Sequence, residues 1–145
     1  MHPYTYSITL RVFHPNIDPA EITRALALKP KRAWKAGDSR QTPRGTPLEG
    51  FYRESYWFSD LIPDGEHSSE GTLIEEYLDH FANQFAPSRE FFARVRSEGG
   101  RVEFFIGMYG AQNYGFELSP SLLSAVAEIG LSLTFDVYPY PQNWR

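Results

Sequence analysis

The chain has 145 residues, 16% of them aromatic and 41% hydrophobic, with no cysteine and a formal net charge of −4. A chain of this length fits one domain, spanning residues 1–145, and buries roughly 68–70% of its unfolded surface, so neither a disulfide nor a metal is needed to hold it together. The lack of cysteine excludes thiolate metal sites and cysteine nucleophiles, and a weakly acidic chain is not built to coat nucleic acid or an anionic membrane.

Tyr6, Ile8, Leu10 and Val12 alternate with Ser7, Thr9 and Arg11, the period of a half-buried strand. Asp18-Pro19-Ala20-Glu21 then reads as a helix start, with Asp as N-cap, Pro at N1 and Glu at N3. Ile17 and Ile22 are spaced as a hydrophobic staple, and Pro30 is expected to stop the helix. Residues 31–36 are a short strand candidate, and 37–50 read as a loop rich in Pro, Gly and Arg. Residues 51–58 form a second long strand candidate. Phe51, Arg53, Ser55 and Trp57 fall on one face, and Tyr52, Glu54, Tyr56 and Phe58 on the other. With aromatics on both faces, this strand should be covered on both sides.

Residues 60–71 read as an acidic loop. Thr72-Leu73-Ile74-Glu75 has the form of a capping box, and Leu73, Tyr77, Phe81 and Phe85 follow at helical spacing. Pro87 breaks that helix, Ser88 caps a second with Phe91, Phe92 and Val95 inward, and Gly99-Gly100 ends it. Val102, Phe104, Ile106 and Met108 alternate in a third long strand. Phe116 and Leu118 suggest a short partner strand. Ser119-Pro120 opens a helix with Leu122, Leu123, Val126 and Ile129, closed by Gly130. Leu131, Leu133, Phe135 and Val137 alternate in a last strand, and residues 138–145 form a Pro-rich extended tail carrying Tyr140 and Trp144. Those aromatics would dock on the domain or fill a partner's groove.

The order of elements predicts an α+β fold: a mostly antiparallel sheet with helices chiefly on one face, broadly ferredoxin-like, with two pseudo-symmetric strand–helix–strand units. Residues 1–6 carry no charged region leading into an apolar run, and no stretch nears the roughly 20 apolar residues that span a bilayer, so a cytoplasmic protein is expected.

Charge is segregated. Residues 29–53 hold Lys29, Lys31, Arg32, Lys35, Arg40, Arg44 and Arg53 against Asp38 and Glu49. Residues 54–80 hold Glu54, Asp60, Asp64, Glu66, Glu70, Glu75, Glu76 and Asp79, with no Lys or Arg.

Arg32-Ala33-Trp34-Lys35-Ala36-Gly37-Asp38 follows the first helix. Thr42-Pro43-Arg44-Gly45-Thr46-Pro47 and the aromatic strand around Trp57 come next. This pattern resembles the bacterial family numbered 4279 in the domain-of-unknown-function series, over about residues 4–138, with the distinctive part within 18–57. The resemblance implies no assigned chemistry and transfers no catalytic residue.

The leading site candidate is the basic-aromatic segment of Arg32, Trp34, Lys35, Arg40, Arg44, Tyr52, Tyr56 and Trp57. Arginine forks bind carboxylate or phosphate, and indole stacks on rings and cations. The bland alternative is that the Trp residues pin a Pro/Gly-rich loop while the cations face solvent or pair with the acidic block. Single-stranded nucleic acid fits such a surface in principle, but the adjacent carboxylates would repel phosphates.

Glu76 and His80 share a helical face without a di-iron Glu-x-x-His pattern, so no metal and no cofactor are expected. No nucleophile elbow or phosphate-binding glycine fingerprint is present, and His14 ends a strand within reach of Asp18.

The expectation is a non-enzymatic binding domain for an acidic protein face or a small anionic ligand, with self-association, two-fold or head-to-tail, compatible with the charge layout. The alternatives are an enzyme on a small anionic substrate, using Glu54, His80 or His14 as acid or base, and an immunity-type protein that blocks a toxin.

Overall fold

A computed structural model describes residues 1–63 and 65–139. Thr5–His14 forms β1, whose residues alternate strictly between buried and half-buried. The chain leaves it at Pro15 and enters α1, Pro19–Leu26. The Asp18 side chain accepts from Ala20 N at 3.0 Å, so the cap forms as expected, and Ile17 and Ile22 are both buried. The helix ends at Leu26 rather than at Pro30, because Ala27 takes the left-handed conformation (φ 51°).

Arg32–Trp34 is β2. The expected loop at 37–50 is instead largely a hairpin of β3, Ser39–Gln41, and β4, Pro47–Phe51, whose tip turns at Gly45 (φ 88°). Its residues are nearly all exposed, so no burial period marked it. The expected single strand over 51–58 is broken at 52–54, and β5 runs from Ser55 to Asp60. A two-residue strand, β6 (His67–Ser68), lies within the predicted acidic loop.

Ile74–Phe85 is α2. Half of a capping box forms, one residue later than predicted: Leu73 N donates to Glu76 Oε2 at 2.9 Å, and the leucine side chain has no acceptor to return. The buried stripe is therefore Ile74, Leu78, Phe81 and Phe85, and Leu73 is exposed. A 3₁₀ turn at Ala86–Ser88 accommodates Pro87 and leads into α3, Arg89–Ser97. β7 spans Arg101–Gly110. No strand forms at Phe116 and Leu118, and the connection to α4, Pro120–Ile129, is irregular. Ser119 Oγ caps α4 by accepting from Leu122 N at 3.1 Å. Leu123, expected inward, is exposed. Ser132–Pro139 is β8; Tyr140 and Trp144 lie outside the described residues.

The main sheet has the order β2-β5-β1-β7-β8, with β6 beside one end of β1. All pairings are antiparallel except β7 with β8. The fold is α+β with a mostly antiparallel, mixed sheet. The two strand–helix–strand units both join strands of like direction. They differ in that β5 is inserted between β1 and β2, whereas β7 and β8 are direct neighbours.

One face of the sheet carries the core. Tyr6, Ile8, Leu10 and Val12 of β1, with Val102, Phe104, Ile106 and Met108 of β7, are almost wholly buried. The buried stripes of α1 to α4 cover this face. Among the described residues no helix lies over the opposite face.

Candidate binding site on the open sheet face

Strand parity decides which side chains reach the open face. Register aligns Trp34 of β2 with Tyr56 of β5, Tyr56 with Phe13 of β1, and Phe13 with Arg101 of β7. These four form a transverse row across the sheet. The contacts along it are continuous: Trp34 and Tyr56 at 4.9 Å between ring centroids, Tyr56 and Phe13 at 4.8 Å, and Arg101 3.9 Å above the Phe13 ring. Tyr52 extends the row by stacking on Trp34 at 4.0 Å, with the ring planes nearly parallel at 11°.

A second row runs beside it: Arg32, Phe58, Arg11 and Glu103. Arg11 Nε donates to Glu103 Oε1 at 2.7 Å, and its guanidinium lies over Phe13, Tyr56 and Phe105. Glu103 is buried although it lies on the open face, and it also accepts from the Thr134 hydroxyl. The ion pair and hydroxyl give the carboxylate the partners that its burial demands. Arg32 lies 4.9 Å from the Trp34 ring, and its Nη2 donates to Gln41 O and to the Tyr52 hydroxyl. Burial pushes the Tyr56 phenol up, against the opposing pull of Arg11. Tyr56 therefore stays a neutral donor at physiological pH.

The hairpin is held to this face through Tyr52, whose hydroxyl donates to Gln41 O at 3.0 Å and accepts from Gln41 N at 3.2 Å. Trp34 is fixed by donation from Nε1 to Glu54 O at 3.1 Å. The rings are thus held at both faces and edges. Their stacking surfaces are already occupied by each other and by guanidiniums.

Of the predicted site residues, the fold brings Arg32, Trp34, Tyr52 and Tyr56 together. Lys35 is exposed just beyond β2, and Arg40 and Arg44 ride on the hairpin, where Arg40 Nη1 donates to Glu49 O at 3.1 Å. Trp57 is corrected: it is 0% exposed and faces α1. Being one residue from Tyr56 in a strand, it points to the opposite side of the sheet. The acidic block does not neutralise the basic one: among the described residues only Lys31 meets it, at Asp60, 2.9 Å. The sequence reading missed Arg11, Phe13 and Arg101, which register alone brings to the row.

The acid–base candidates are scattered. His14 Nε2 meets Glu98 Oε1 at 2.8 Å, and its Nδ1 accepts from Asn16 N and Ile17 N at 3.0 and 2.9 Å. It meets Glu98 rather than Asp18, and both ring nitrogens are engaged, which leaves neither free to take a substrate proton. Hydrogen bonding to His14 and Arg94 holds the Glu98 carboxyl below its usual range. These residues, with Glu21, border an open cleft of about 590 Å³. Glu54 and His80 are exposed on separate elements. Among the described residues no three His, Asp or Glu side chains come together as a metal site would require. No helix among the described residues is long and apolar enough to cross a membrane.

A sequence profile described as Domain of unknown function (DUF4279) matches residues 2–140. No curated protein and no solved structure matches the chain.

Proposed function

We propose that this chain, which belongs to the DUF4279 family of domains of unknown function, is a non-enzymatic protein-binding module. Its open sheet face would receive an acidic surface of a protein partner. The observation that carries this reading is the row Tyr52–Trp34–Tyr56–Phe13–Arg101, in contact throughout and left uncovered by the helices. Arg, Tyr and Trp are the residue types that concentrate binding energy at protein interfaces, whereas Lys and Glu are depleted there. A preformed row loses little side-chain freedom on binding, which favours affinity. Two clefts lined by described residues are open rather than enclosed, and the one beside the hairpin is bordered by Glu49 as well as by Arg40, Tyr52 and Arg53. That favours a protein surface over a small anionic ligand.

The test is a titration with an oligoglutamate peptide, followed through the indole N–H resonances. The Trp34 signal should move and that of buried Trp57 should not. Arg32→Ala and Tyr56→Ala should each weaken binding about tenfold, the scale of an interface anchor. If the Trp34 signal stays put at millimolar peptide, the reading fails.

A further inference from the structure

Resting on the binding reading above, we infer that Arg101 and Arg32 form a two-point clamp for an extended acidic segment, with carboxylates four residues apart. The three guanidiniums of the open face differ in what they have left to give. Arg11 is committed to Glu103. Arg32 uses only Nη2, on Gln41 O and the Tyr52 hydroxyl. The Arg101 guanidinium carbon sits over the Phe13 ring, 3.9 Å from its centroid, and among the described residues no acceptor takes any of its N–H groups. Stacking on a ring fixes the plane of a guanidinium without using its in-plane donors. Arg101 is therefore oriented in advance for a bidentate carboxylate.

Geometry sets the spacing. β2 and β7 are separated by two intervening strands, β5 and β1. At about 4.8 Å per strand, Arg101 lies about 14 Å across the sheet from the level of Trp34. Arg32 lies two residues along β2 from Trp34, which adds about 6.6 Å along the strand and gives a diagonal of about 16 Å. In an extended peptide, residues i and i+4 share a face and lie about 13 Å apart. Side-chain reach at either end closes the difference. Residue i+2 would then cross the Tyr56 and Phe13 ring edges. Adjacent carboxylates could engage only one end of the clamp.

The experiment uses the full chain and three probes. One is a Thr/Ser/Val peptide with Glu at i and i+4, the second is the same composition with Glu at i and i+1, and the third is inorganic phosphate. The i,i+4 peptide should bind at least about fivefold tighter than its isomer, since it alone closes both ends. Arg101→Ala and Arg101→Lys should each lose about tenfold for that peptide, because lysine lacks the planar fork. Arg24→Ala, on the helical side, should leave binding unchanged, and the melting temperature of the exposed Arg101 variants should match wild type. If Arg101→Ala binds like wild type while Arg32→Ala does not, the clamp is overturned and the binding reading stands. Equal affinity for the two isomers, or phosphate as good as the peptide, also overturns the clamp. If wild type binds neither peptide, the binding reading itself is overturned.

Discussion

The Trp57 indole nitrogen donates a 3.0 Å hydrogen bond to the Thr23 hydroxyl, tying the centre of β5 to α1. Trp57 is fully buried on the helical side of the sheet, so this N–H has no access to water. Replacing Thr23 with Val keeps the shape and removes the acceptor. The expected cost is about 1–3 kcal/mol, that of a buried unsatisfied donor. Urea unfolding should show it as a lower midpoint with an unchanged slope. Peptide binding at the open face should be unaffected, because Trp57 belongs to the core.

The Arg11–Glu103 pair predicts a strongly non-additive cycle. Glu103 is 5% exposed and keeps only the Thr134 hydroxyl if Arg11 is removed. Arg11→Met should therefore cost about 3 kcal/mol at neutral pH, since a buried charge loses its partner. Arg11→Met combined with Glu103→Gln should recover most of that loss. Four stabilities measured by denaturant unfolding at pH 7 give the coupling, and additive effects would show that the two side chains do not act as a pair.

Glu98 predicts a pH dependence. Its carboxyl is depressed by the hydrogen bond from His14 and then by Arg94. A group depressed in the folded state contributes stability above its unfolded pKa, and that contribution disappears as pH falls through the folded value. Glu98→Gln should thus be less stable than wild type at pH 7, and the gap should narrow by about pH 2, as pH falls through the depressed folded value. Thermal melts at both pH values measure it. An equal gap at both would assign the effect to packing rather than to charge.

How much of this was legible in the chain depends on where the signal lies. β1 announces itself, because one of its faces is sealed and the other is only half-covered; alternation of Tyr6, Ile8, Leu10 and Val12 is the direct imprint of that burial, and the same apolar alternation marks β7, although Glu103 and Gly107 on its other face are buried as well. The hairpin at 39–51 has no sealed face and so leaves no period, only the turn chemistry of Gly45. Parity already separated Tyr56 from Trp57, and grouping them in one site conflicted with the strand that contains them. Arg32, Trp34, Tyr52 and Tyr56 were legible as a local cluster. Phe13 and Arg101 were not, because their meeting depends on a pairing between β1 and β7 that local pattern cannot specify. The Gly99–Gly100 end of α3 was read as a cap, yet Gly100 has a second role. A Cβ there would lie 2.3 Å from Phe13 O, so the missing side chain lets α3 turn back beside the strand that carries the row.

The central place of β1 has a consequence for how the protein is made. Both of its main neighbours are encoded much later, and Arg11 meets Glu103 across a sequence separation of 92. During synthesis at about 5–20 residues per second, β1 spends about 5–20 s with one hydrogen-bonding edge unpaired before β7 emerges. Such distant pairing also slows folding once the chain is complete. The earliest strand is the last to be enclosed, and it is the segment on which a chaperone that guards nascent chains would act.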